Sequence, residues 1–256
     1  MNKYSQALIA AAFALAGTRS DAATFNIQVT FGSGLTQSQQ SVFSQAEAFW
    51  ESVITGYKPR VTLSGIVISA AGRAIDGAFG ILGSAGPSTL VTTRGTTYAT
   101  TGDMEFDTAD LTMMENDGSL LAVILHEMAH VMGFGTLWSV NSVYVNESGQ
   151  YTGANALAAY RAEFNPSATF VPVDIVSGQG TRNSHWAENW AGGTRELMTG
   201  FLNTPTFVSN TTIQSFADLG YTTAAISAVP LPAGAVLLLG GLGVLGAAGA
   251  RRRRAA

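Results

Sequence analysis

The chain has 256 residues, of which 46% are hydrophobic and 12% charged, and its formal net charge is −4 at pH 7. This length allows one large domain or two small ones, and the acidic balance argues against a nucleic-acid partner, which would require a basic surface. The absence of cysteine excludes disulfide scaffolds, cysteine nucleophiles and zinc fingers, so any metal must be held by histidine, carboxylate or water.

Residues 1–23 are predicted to be a signal peptide. Lys3 supplies a positive start, and residues 7–16 form an apolar run of suitable length. Small residues follow, so we expect cleavage after Ala22 or Ala23 and export of the mature chain. The alternative, a buried N-terminal helix, fits less well because a strand pattern begins immediately afterwards.

The next part of the chain predicts a strand, a helix and a second strand. Apolar and polar residues alternate over 25–31, which is typical of a half-buried strand. Thr36 and Gln39 form a capping-box pair, and apolar residues spaced three and four apart predict an amphipathic helix over 37–55. The stretch 61–69 is richer in β-branched residues and predicts a more central strand.

Residues 71–106 are rich in glycine, threonine and serine and predict one or two short strands. The short apolar pieces that could form them are 79–82, 90–92 and 104–106. Asp107 and Asp110 could cap a turn or bind an ion, and the cap is the commoner role. A longer helix is then expected to start at Asp117 or Ser119.

The sequence from 140 to 220 lacks strong periodicity except for two short helical pieces, near 154–163 and 211–218. A long irregular segment within a compact domain is usually functional. Strand, helix, strands and then a long helix is an α/β order, and with the loop-rich second half we predict an α+β (α/β-like) fold.

The long helix carries His126-Glu127-Met128-Ala129-His130, an HExxH motif. Two histidines four residues apart on a helix point to one spot and can supply half of a zinc site, with Glu127 placed to act on a bound water. A surface helix could carry this pattern by chance. However, residues 120–125 are almost entirely apolar and indicate a buried helix, where such side chains should be paired or metal-bound. Gly133 is expected to end the helix.

A catalytic zinc needs three protein ligands and one open position. Thr136 stands where a compact site would have its third histidine, so His185, the remaining histidine of the chain, is the favoured third ligand. His185 could instead be a core histidine packed against Trp186. The rival third ligands are carboxylates such as Glu147 or Glu163, although Glu147 lies in a turn-like and exposed stretch.

Residues 229–256 are predicted to be a separate C-terminal segment. A VPLPA sequence at 229–233 begins an uncharged run, 231–250, that is long enough to cross a bilayer, and four arginines follow at 251–254. A plain transmembrane anchor is one interpretation. The same order resembles the VPLPA-type members of the PEP-CTERM-like sorting tails. That resemblance, which we favour, implies a Gram-negative bacterium and removal of the tail by a membrane protease.

Three motifs together resemble the leishmanolysin family of metzincin peptidases. They are HExxHxxGFGxLW from His126 onward, Ser-His-Trp around His185, and Glu-Leu-Met-Thr-Gly at 196–200. The resemblance covers most of 24–221. It implies that His126, His130 and His185 bind zinc, that Glu127 is the general base, and that Met198 forms a Met-turn beneath the metal.

The resemblance also implies the architecture of a catalytic domain over 24–228. The upper part, to about 135, would be a twisted mixed sheet over the active-site helix, and the loop-rich lower part, from about 136, would supply His185. Because the chain has no cysteine, it cannot use the cysteine switch that blocks the zinc of protozoan members.

These observations predict a secreted or cell-surface zinc endopeptidase. A protein or peptide substrate is expected to bind extended along an edge strand within 78–107. The alternative is a non-catalytic cell-envelope or biofilm-matrix protein with a structural zinc. Structural zinc sites are closed by a fourth protein ligand, and the lack of cysteine and of a fourth histidine favours catalysis.

Overall fold

The computed structural model of the protein describes residues 25–224 and 229–231. The predicted signal peptide and the tail from residue 232 onward lie outside the described residues, so both remain predictions. In the described part of the chain, no helix combines the length and the apolar character needed to cross a membrane.

The described helices, in chain order, are α1 (Gln37–Val53), α2 (Leu111–Asp117), α3 (Leu120–Met132), α4 (Ala154–Glu163) and α5 (Asn210–Asp218). The described strands are β1 (Asn26–Phe31), β2 (Ile54–Tyr57), β3 (Gly65–Arg73), β4 (Gly83–Thr93), β5 (Thr96–Asp107), β6 (Gln150–Tyr151), β7 (Val171–Pro172), β8 (Phe207–Val208), β9 (Tyr221–Thr223) and β10 (Val229–Pro230).

Four strands form the main sheet, in the order β1-β3-β5-β4. The β1–β3 and β3–β5 pairs are parallel, and β4 runs antiparallel to β5 at the edge of the sheet. Helix α3 packs against β4 and β5, and α1 packs against both β1 and α3. The predicted α+β fold, with a mixed sheet over the helix that carries HExxH, is confirmed.

Helix α1 starts as the sequence predicts and ends two residues early. The Thr36 hydroxyl accepts from the backbone N–H of Gln39, and the Gln39 side chain accepts from the backbone N–H of Thr36, so the capping box is confirmed. The predicted end at 55 is wrong because Ile54 is already extended. It begins β2, which pairs with β9 near the end of the domain.

The strands of the sheet also differ from their predicted bounds. The predicted strand 61–69 is shifted to Gly65–Arg73 because pairing with β1 begins where Gly65 lies opposite Asn26. In place of short strands, β4 and β5 form a long hairpin. Much of β4 is exposed on both faces, so its small polar residues give no alternation from which a strand could be predicted.

The second half of the described chain is loop-rich, as predicted. The two helical pieces are confirmed as α4 and α5, which pack against each other. The other elements there are two-residue strands, paired as β6–β7 and β8–β10. Its core contains stacked tryptophans, with ring centroids 5.1 Å apart for Trp138–Trp186 and 5.7 Å apart for Trp186–Trp190. This core joins the upper half through the residues that follow α3.

Candidate metal centre

Helix α3 carries the first three predicted site residues. Its side chains are buried nearly all round; Glu127 and His130 are buried and His126 is half-buried. The helix begins after Ser119, one of the two predicted starts, and ends at Gly133, whose φ of +119° favours glycine. The HExxH residues are therefore held on a rigid element within the core.

The turn after α3 meets the loop that carries His185. Gly135 has a φ of +72°, and a Cβ there would lie 2.4 Å from the carbonyl oxygen of Ser184. Only glycine allows this approach without displacing the backbone next to His185. Trp186, the residue after His185, is fully buried and stacks on Trp138, which holds the backbone on the other side of the histidine in place. The intervening segment thus loops out and returns, as the predicted site requires.

The Nε2 atoms of the three histidines converge. They are 2.9 Å apart for His126–His185 and 3.0 Å apart for both His126–His130 and His130–His185. These three side chains form a group that could hold a metal ion, the one such group of histidine and carboxylate residues in the described ranges.

Backbone carbonyls determine which ring nitrogen of each histidine carries the proton. The Nδ1 partners are Leu197 O for His126 (2.7 Å), Phe134 O for His130 (2.9 Å) and Thr181 O for His185 (2.9 Å). A carbonyl can only accept, so each Nδ1 donates and each Nε2 presents a lone pair. Three lone pairs cannot form hydrogen bonds with one another. A cation bound between the three Nε2 atoms would accept all three.

Burial keeps the three imidazoles neutral and able to bind a metal. It lowers the pKa of His126 to about 4 and that of His185 to about 3. The pKa of His130 is also lowered, by burial first and then by the two neighbouring imidazoles. At neutral pH no proton has to leave the Nε2 atoms before a cation can bind.

The rival carboxylates lie elsewhere. The Glu147 carboxylate is exposed and accepts from Arg182 and Asn183. Glu163 accepts from the backbone N–H groups of Asn210 and Thr211 at the start of α5, so neither glutamate reaches the histidines.

Asp107 caps a turn, the favoured prediction, whereas the Asp110 side chain makes no capping hydrogen bond at the start of α2. The Asp107 carboxylate accepts from the backbone N–H groups of Asp76, Gly77 and Ala109, and these hydrogen bonds lower its pKa. Asp110 accepts from the backbone N–H of Phe79. Both aspartates thereby hold the loop that leads into β4.

A comparison with known protein families gives a match to the leishmanolysin model over residues 88–233, more than half of the chain. The chain belongs to the leishmanolysin family. The match includes all three histidines and Glu127, which agrees with the converging imidazoles, and it identifies the protein as a metallopeptidase of this type. A search among curated proteins gives no match.

The segment that the resemblance predicts as the Met-turn contacts His126 through its backbone. Met198 is fully buried, and its carbonyl accepts from the backbone N–H of Trp186. The preceding carbonyl, that of Leu197, is the acceptor for His126 Nδ1. The turn therefore contacts both histidine-bearing segments through its backbone.

Glu196 holds this turn, a role that the sequence analysis did not predict although the residue belongs to the motif. Its carboxylate is buried and accepts from the backbone N–H of Met198 at 2.7 Å. It also accepts from the Ser209 backbone and hydroxyl and from the Thr212 hydroxyl. Thr212 in turn accepts from the indole of Trp186. This network ties together the Met-turn, α5 and the neighbour of His185.

The histidines and Glu127 open onto a cleft of about 810 Å³. The start of β4 and the loop before it form one side, and residues 199–203 form the other. Its rim carries exposed apolar side chains, including Phe79, which is 82% exposed, and Phe201, which is 59% exposed. The cleft is thus large enough for a peptide segment and is bordered by an edge strand.

Proposed function

We propose that this member of the leishmanolysin family is a zinc-dependent endopeptidase. One observation carries the proposal: three Nε2 lone pairs converge beside a buried carboxylate at the floor of an open cleft. The donor set suits zinc, because neutral imidazoles are preferred zinc ligands and three protein ligands are typical of catalytic sites. A triangle with edges of 2.9–3.0 Å lets all three nitrogens lie about 2.0–2.1 Å from one ion.

Glu127 is the proposed general base. When bound, zinc lowers the pKa of a water molecule and polarises the scissile carbonyl. Burial raises the pKa of the Glu127 carboxyl to about 8, and a nearby cation would lower it again by favouring the charged form. Glu127 can then accept the proton of the attacking water and deliver it to the amine that leaves.

The three histidines orient the site without taking part in proton transfer. Their Nδ1–H groups are held by backbone carbonyls, which fixes both the ring orientation and the tautomer. The substrate is proposed to lie extended along β4, the edge strand next to Glu127, where its backbone can pair with exposed strand groups.

A structural zinc in a non-catalytic envelope protein is the alternative function. Such a site would need a fourth protein ligand. Among the described residues, the group that could hold a metal contains the three histidines alone, and it lines the cleft. This geometry supports the catalytic proposal.

The cellular location of the protein is proposed from the sequence. An exported protein on the surface of a Gram-negative bacterium fits the predicted signal peptide and the sorting-type tail, whose proposed partners are the membrane and a sorting protease. The first residues of that tail, as β10, pair with β8, and Leu231 is buried. Residues 229–231, which begin the proposed sorting segment, thus also contact the described fold.

The proposal is tested with a quenched fluorescent peptide blocked at both ends, which only an endopeptidase can cleave. The zinc-loaded protein should cleave it, and a chelator should abolish cleavage until zinc is restored. Glu127→Gln should retain zinc and lose nearly all activity, whereas Asp103→Asn, which removes an exposed carboxylate from β5, should behave as the wild type. Undiminished cleavage by Glu127→Gln would contradict the role of the base.

A further inference from the structure

The first residue of β4 lies directly against the side chain of Glu127. A Cβ placed on Gly83 would be 2.8 Å from Glu127 Oε1, 3.0 Å from Cγ and 3.1 Å from Cδ. The first of these distances is closer than side-chain carbons approach other atoms in proteins. Gly83 is not among the glycines with positive φ, so other residues could adopt its backbone conformation. What matters at this position is the absence of a side chain.

The close approach results from how α3 packs on the sheet. Glu127 and Val131 are four residues apart and lie on the same side of the helix. Val131 faces Gly102 of β5, where a Cβ would be 2.2 Å from Val131 Cγ1. Glycines on two neighbouring strands thus let one side of α3 lie close to the sheet. The Val131 side chain packs against Gly102, and the Glu127 carboxylate packs against Gly83.

The carboxylate of Glu127 has little else to hold it. The side chain is 5% exposed, and the hydrogen bonds found among the described residues include none to its oxygens. The backbone at Gly83 borders it on one side and the cleft on the other. Steric contact with β4 is therefore the interaction that limits how far the carboxylate can lie from the cleft.

We propose that Gly83 is a positioning residue for catalysis, leaving the space in which the Glu127 carboxylate sits back from the centre of the three imidazoles. This inference rests on the proposed peptidase function. Any side chain at position 83 would push the carboxylate out of this space, towards the place where the attacking water must lie. Displacement of a reacting group by about 1 Å can reduce a rate about 100-fold.

The test compares two glycine-to-alanine variants, one at the proposed positioning residue and one away from the substrate-binding strand. Gly83→Ala should keep the zinc content and should change KM by less than about 2-fold, while kcat falls at least about 10-fold because only the base is displaced. Gly178→Ala is the matched control, since a Cβ on Gly178 meets nothing within 4 Å, its φ is not positive and it does not line the cleft. It should retain the wild-type kcat. Equal kcat values for the two variants would overturn the proposal.

A double-mutant cycle separates positioning from a general structural effect. Glu127→Asp shortens the side chain by one methylene and makes room for the new methyl group. In that background, Gly83→Ala should change the residual kcat by less than about 2-fold, because the contact has been removed. The same loss in both backgrounds would contradict the proposal.

The same four proteins (wild type, the two single variants and the double variant) are also compared by the midpoint of urea unfolding, a measurement that does not depend on activity. Gly83→Ala should lower the unfolding midpoint with Glu127 present and should not lower it in the E127D background. If this coupling is found but the wild type cleaves no peptide, the proposed function fails while the contact stands. If the wild type is active and neither cycle shows coupling, the positioning role is refuted.

Discussion

Replacing Glu196 with glutamine is expected to destabilise the protein beneath the metal centre. The carboxylate is 1% exposed and accepts four hydrogen bonds. One oxygen accepts from the backbone N–H of Met198 at 2.7 Å. The other accepts from the Ser209 backbone N–H at 3.0 Å, from the Ser209 hydroxyl at 2.8 Å and from the Thr212 hydroxyl at 2.6 Å.

The size of the loss follows from the two backbone donors. Glutamine has one oxygen, so its NH₂ group must face either the N–H of Met198 or that of Ser209. The hydroxyls can rotate and accept from the new NH₂ group, but a backbone N–H cannot. One buried N–H is left without an acceptor in either orientation, and this costs about 1–3 kcal/mol. Because burial raises the pKa of Glu196, the folded wild type binds this proton more readily than the unfolded chain, so its advantage over the variant, which cannot titrate here, should widen as the pH falls.

The measurement is the free energy of unfolding from urea denaturation near neutral pH, with Asp103→Asn as the control for removing an exposed carboxylate. Glu196→Gln should lose about 1–3 kcal/mol, and the control should stay within about 0.5 kcal/mol of the wild type. The reasoning would be refuted if Glu196→Gln unfolded at the same urea concentration as the control.

Three further predictions follow from the site. His185→Ala should lose the bound zinc while Glu147→Ala retains it, as metal analysis of the two purified variants would show; zinc loss from both would contradict the ligand assignment. Gly135→Ala should weaken zinc binding more than Gly180→Ala, which also has a positive φ but meets nothing within 4 Å; equal affinities in a competition titration would contradict this. The metal-free protein should lose stability as the pH falls from about 6.5 towards 4, because the unfolded chain binds protons on three imidazoles whose pKa values are lowered in the fold. Buried carboxyls whose pKa is raised, such as Glu127 and Glu196, bind protons in the fold and oppose part of this loss, so the profile is compared with that of metal-free His185→Ala, which should be shallower; equal slopes in urea unfolding would contradict the account.

The parts of the site that could be predicted from sequence are those encoded locally. Helix α3 is specified by its apolar run, by the HExxH spacing and by Gly133, all within fifteen residues. His185 was found differently: the chain has three histidines, so the scarcity of candidates replaced a local signal. Its return over 55 residues depends on contacts, such as that between Gly135 and Ser184, that no pattern in the sequence reveals.

The same limit explains what was missed. The extent of β4 and β5 could not be predicted because an exposed, threonine-rich hairpin has no buried face to produce alternation. Gly83 looks like one of many glycines until the fold places it against Glu127. The holding role of Glu196 has no local signal in the sequence, because its partners Ser209 and Thr212 lie 13 and 16 residues away.

The central claim is that three imidazoles bind one zinc ion and leave one position open beside Glu127. X-ray absorption of the zinc-loaded wild-type protein tests it most directly, because the scattering counts the imidazoles and identifies the other atoms bound to the metal. The account predicts three imidazole nitrogens at about 2.0–2.1 Å and one oxygen donor. Two imidazoles, or a fourth protein side chain in place of an exchangeable oxygen, would contradict it.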